Sequence, residues 1–100
     1  MPTIEEALQY LGIDYADALV TANVTRALNS AKKILHGSVG EDVETYLKDD
    51  ARTKELILIY LDDLYSDRGV SAKTSNATRR LVAAMELQLR LELRRAKGEA

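Results

Sequence analysis

Cysteine is absent from the 100 residues, so the chain has no disulfide framework and no thiolate metal site. Tryptophan and phenylalanine are also missing, which leaves a core of Leu, Ile, Val and Ala with five tyrosines. Long apolar runs are lacking too: the longest, Leu56 to Leu61, is far short of the roughly 20 residues a membrane helix needs. The opening MPTIEEALQ is acidic and has no signal-peptide pattern, so no membrane is expected and the cytoplasm is the default location. Only one histidine occurs, His36, with no partner at metal-ligand spacing; a helix-terminal role is expected for it.

Catalytic constellations are missing as well. There is no phosphate-cradling glycine loop, and no serine sits in a Gly-x-Ser-x-Gly elbow. Asp49-Asp50 reads as a helix cap and Asp62-Asp63 as the wet side of a helix. No enzyme, cofactor or metal site is expected.

What is present is helical pattern. Thr3 and Glu6 fit a capping box, Ile4, Ala7, Leu8 and Leu11 share a face, and Gly12 supplies a stop. Asp14 or Asp17 caps a long helix over about 17–36. Its stripe is Val20, Val24, Ala27, Leu28, Ala31, Ile34 and Leu35, and Gly37 is the expected terminator. Residues 37–50 form an irregular acidic loop with one helical turn at Val43, Tyr46 and Leu47. Asp49 or Asp50 caps a third helix to about Arg68, apolar on every side from Leu56 to Leu61. Such a helix must be covered all round, and part of that cover is expected from a neighbouring subunit.

A loop from Gly69 to Asn76 leads to a last helix, capped by Ser75 or Asn76 and running to about Lys97. From Met85 to Arg94 apolar and polar residues alternate as in a strand, yet every residue is a good helix former; a helix is the expected form. It places Leu81, Val82, Met85, Leu89 and Leu93 on one stripe and Leu87 and Leu91 opposite. The fold class is thus all-α: a single domain over 1–100, core about 3–97, built as a bundle of about four helices. These are a short N-terminal helix, two long core helices and a C-terminal helix.

The net charge of −2 conceals polarity. Residues 1–50 carry 4 basic and 9 acidic side chains, whereas residues 73–100 carry 7 basic and 3 acidic. The basic end suits an anionic surface, protein or nucleic acid, or is simply a solvated helix. Arg79, Arg80, Arg90, Arg94, Arg95 and Lys97 keep a small DNA-binding or protein-interaction module open as the alternative. Against helix-turn-helix recognition stand the long preceding loop and the leucines on two faces.

The order of these features resembles the head–tail connector (adaptor) proteins of long-tailed phages, also described as possible DNA-packaging proteins. The shared features begin with a short helix ending in leucine before a Gly-Ile-Asp phrase, here Leu8 to Leu11 and Gly12-Ile13-Asp14. A long helix closing on glycine follows, Asp17 to Gly37. Next come an apolar helix closing on Tyr-x-x-Arg-Gly, Leu56 to Leu61 with Tyr65 to Gly69, and a Lys73-Thr74-Ser75-Asn76 loop. Gln88-Leu89-Arg90 stands near the end. The chain departs from the pattern at Ala77-Thr78-Arg79-Arg80, where many relatives carry proline.

The resemblance implies a homo-oligomeric ring of about twelve subunits, docked under the portal protein after packaging. Such a ring extends the DNA channel, through which DNA passes without sequence-specific binding, and offers a platform to a stopper or tail-completion protein. It implies a virion location at the head–tail interface, after assembly in the bacterial host cytoplasm. Candidate contact residues are Leu56, Ile59, Tyr60 and Tyr65 on the third helix, and Leu87, Arg90, Leu91 and Arg94 on the last.

Overall fold

The computed structural model describes residues 1–65 and 76–98, and among these it has five helices and no strand. They are α1 (Ile4–Tyr10), α2 (Ala18–Ser38), α3 (Val43–Leu47), α4 (Ala51–Tyr65) and α5 (Asn76–Ala96). The all-α bundle expected from periodicity is the fold, with the helical turn in the acidic loop forming the short α3. The expected close of the third helix at Arg68-Gly69, the loop through Lys73 and a cap at Ser75 lie outside the described residues.

Local chemistry sets the helix starts. Thr3 and Glu6 make the full capping box: the Thr3 amide donates to Glu6 Oε1 at 2.9 Å and the Glu6 amide to Thr3 Oγ1 at 3.1 Å. Glu6 also pairs with Lys54 of α4, and these bonds hold its carboxyl below the ordinary carboxylate range. That tie, with buried Ala7, docks a seven-residue helix too short to persist alone. Asp17 caps α2 by accepting the Val20 amide at 2.9 Å. Asp50 accepts the Arg52 amide at 2.9 Å and its side chain at 2.8 Å, at the start of α4.

The end of α2 differs from expectation. The helix runs through Gly37 to Ser38, and Gly40 is the residue that takes a left-handed φ, of +147°. The added turn buries Val39, which Gly37 as terminator would have left outside. Gly40 also permits close approach: a Cβ there would stand 2.7 Å from Leu93 Cδ2.

The core is one cluster. Val24, Leu28, Ala31 and Leu35 of α2 meet Leu56, Ile57, Leu58 and Leu61 of α4, with Ala7, Val39, Val43, Leu89 and Leu93 around them. Ile34 departs from the α2 stripe and is 41% exposed. α4 runs between α2 and α5 with α1 against it, so Leu56, Ile57, Leu58, Tyr60 and Leu61 are all buried by the chain itself. Three helices of the same chain thus cover most of the apolar run, while Ile59 and Tyr65 stay partly exposed and Leu64 exposed.

Candidate functional site

The last helix has two working faces. At about 100° per residue, positions two apart lie about 200° apart. The alternation Met85 to Arg94 therefore sends Leu89 and Leu93 inward and Leu87 and Leu91 outward. Leu89 is fully buried and Leu93 nearly so, while Val82 and Met85 pack at the margin of the core. Leu87 and Leu91 stand half-exposed, and Leu81, expected on the inner stripe, is 56% exposed. The outward row Arg80, Ala84, Leu87, Leu91, Arg94 has steps of four and three, the repeat of a helix-pairing seam.

Polar groups reinforce the inner face. Tyr60 donates its phenol to Glu86, and Ser38 Oγ lies 3.2 Å from the same oxygen. Burial, then the bond to Glu86, raises the Tyr60 phenol pKa above its ordinary value of 10.0. Arg90 donates to the Ser38 carbonyl at 2.7 Å, satisfying one of the free acceptors at the end of α2. Arg52 reaches Gln88 at 3.3 Å, and Lys97 pairs with Asp42 at 2.9 Å. These links hold α5 to the bundle along most of its length, so its outer leucines are presented on a fixed rod.

The expected contact residues therefore separate. Leu56 is fully buried and Tyr60 nearly so, both engaged within the chain, so they are not surface contacts as expected. Ile59 and Tyr65 are half-buried at the margin of α4. Ile59 lines a cleft of about 290 Å³ between α4 and α5, with Asp63, Arg79, Val82, Ala83 and Glu86. Arg90 keeps an exposed side chain but spends one nitrogen on Ser38. Leu87, Leu91 and Arg94 are brought together as an open face. Arg95 joins its edge, 3.1 Å from Glu92 one turn earlier.

Two features escaped sequence reasoning. His36 lies 2.6 Å from Glu44 across the Gly40 turn, a pairing that no local spacing encodes. Tyr15 and Leu19, at 82% and 68%, are the most exposed large apolar side chains among the described residues. Asp14 and Asp17 beside them had been read only as caps. The available signal was that neither apolar residue lies on the α2 stripe.

Among the described residues no group of three or more His, Cys, Asp or Glu is placed to hold a metal ion, and no helix is long and apolar enough to cross a membrane. The chain matches no family model, no curated protein and no solved structure.

Proposed function

We propose that this chain is a structural subunit of a phage head–tail connector ring, which docks under the portal, extends the DNA channel and seats the stopper or tail. The observation that carries the reading is the outward stripe of α5: two half-exposed leucines in pairing register, on a helix whose opposite stripe is already in the core. A solvated helix gains nothing from leucines there, whereas a subunit that buries them against a neighbour does. The resemblance in order and spacing of the sequence phrases supplies the specific assembly. No catalytic role enters the proposal.

Gene neighbourhood and co-purification test it together. Genes for portal, protease and major capsid proteins are expected upstream, and the chain is expected to co-sediment with particles containing that portal. A protein that stays monomeric and never joins such particles contradicts the proposal. Salt-sensitive retardation of duplex DNA, with no portal association, would favour the DNA-binding module instead.

A further inference from the structure

We propose that the leucine–arginine stripe of α5 docks, head to tail, on the acidic corner at Tyr15 and Leu19 of a second copy of this chain; the inference rests on the ring reading above. The corner joins α1 to α2 and carries Asp14, Tyr15, Asp17 and Leu19, all exposed. No basic side chain occurs between Met1 and Arg26; Glu6 is paired with Lys54, and at the corner itself Asp14 and Asp17 leave the charge acidic. The α5 stripe is its complement: Arg80 and Arg94 bracket Leu87 and Leu91 in the outward row, with Arg95 at its edge. Each surface thus pairs apolar anchors with charges of one sign, and the signs are opposite. Tyr15 adds an aromatic face on which an arginine guanidinium can stack.

Two alternative pairings are disfavoured, one by geometry and one by charge. The corner cannot fold onto its own stripe. Leu19 and Ser38 are 19 residues apart on α2, about 28 Å at 1.5 Å per residue, and Arg90 of α5 is bound at the Ser38 end. Pairing α5 with α5 would bring Arg80 and Arg94 of both copies around the same leucines, a like-charge contact. A contact between unlike faces at two ends of one molecule is heterologous, and it closes into a ring when the rotation per step permits.

Size fixes the strength. A 21-residue helix is about 30 Å long, so a strip about 10 Å wide offers roughly 300 Å², well below the roughly 800 Å² per partner of a stable pair. A single contact is therefore weak, and the assembly gains from each subunit using both faces.

The test is sedimentation of the full chain at low salt over a concentration series, with two variants whose folding is checked by thermal melts. Tyr15→Lys/Leu19→Lys breaks the corner, and Leu87→Glu/Leu91→Glu breaks the stripe. Wild type is expected to associate with rising concentration, and less so at high salt. Each variant alone is expected to associate at least tenfold more weakly. An equimolar mixture of the two is expected to form a dimer and stop there, because one intact corner meets one intact stripe. A corner variant that associates like wild type overturns the pairing but leaves the ring proposal standing, as does a mixture that stays monomeric. A wild type that is monomeric throughout yet joins portal particles through α5 likewise overturns the pairing alone. Failure of wild type to do either removes both.

Discussion

The two sides of α4 are sealed by different chemistry. Toward α2 the seam is aliphatic: Val24, Leu28, Ala31 and Leu35 belong to one cluster with the buried Leu56, Ile57, Leu58 and Leu61 of α4. Toward α5 it is mixed: Leu89 and Leu93 supply the apolar part, Tyr60–Glu86 and Arg52–Gln88 supply hydrogen bonds, and Arg90 adds a tie from α5 to Ser38 of α2. A buried leucine contributes about 1.5–3 kcal/mol relative to an exposed one, and a typical hydrogen bond about 1 kcal/mol net. The first seam therefore carries most of the stability. The second orients α5 and fixes which of its leucines face outward.

Truncation costs most at the dry seam. Leu61→Ala removes a fully buried side chain of the core cluster and is expected to cost about 3 kcal/mol, read as the shift of the urea unfolding midpoint. A loss below 1 kcal/mol would mean that α4 is not the central helix. Gly40→Ala comes next, at about 2 kcal/mol. It places a Cβ at a left-handed φ and against Leu93, so α5 should loosen as the global midpoint falls. Faster amide exchange in α5 than in α2 checks the locality of that effect.

Tyr60→Phe is a smaller perturbation of the mixed seam and sharpens it by pH. At neutral pH it should cost about 1 kcal/mol, since Glu86 loses its donor. Folding raises the phenol pKa above the ordinary 10.0, so the folded state holds this proton more tightly than the unfolded state does. The corresponding stability is fully present below pH 10 and is lost as pH climbs through the folded value. Unfolding free energies measured between pH 8 and pH 11, roughly spanning the tyrosine range, should show a steeper alkaline fall in wild type than in Tyr60→Phe.

The same contrast explains what was legible in the sequence. The dry seam follows from periodicity: Val24, Leu28, Ala31 and Leu35 are spaced as one face, and the capping box at Thr3 and Glu6 is a local signal realised in full. The mixed seam depends on partners 26 to 52 residues apart, such as Tyr60 with Glu86 and Ser38 with Arg90, and no local pattern announces them. Tyr60 and Leu56, expected as surface contacts, are instead buried by the chain itself. The outward placement of Leu87 and Leu91 was legible, because it follows from helical geometry once 85–94 is a helix. The acidic corner was not, because Asp14 and Asp17 already had an explanation as caps. The terminator of α2 was misplaced by one glycine, since both Gly37 and Gly40 satisfy the compositional signal and only the burial of Val39 separates them.

α5 turns one stripe to its own core and, in the proposed ring, the other to a partner. Thermal melts and sedimentation of Leu87→Glu/Leu91→Glu, run side by side with wild type, test it most directly. Unchanged folding is expected, within about 0.5 kcal/mol for exposed positions, together with loss of self-association and of co-sedimentation with portal particles. Collapse of the melt would show that both leucines belong to the core; full retention of assembly would show that the outward stripe is not the contact.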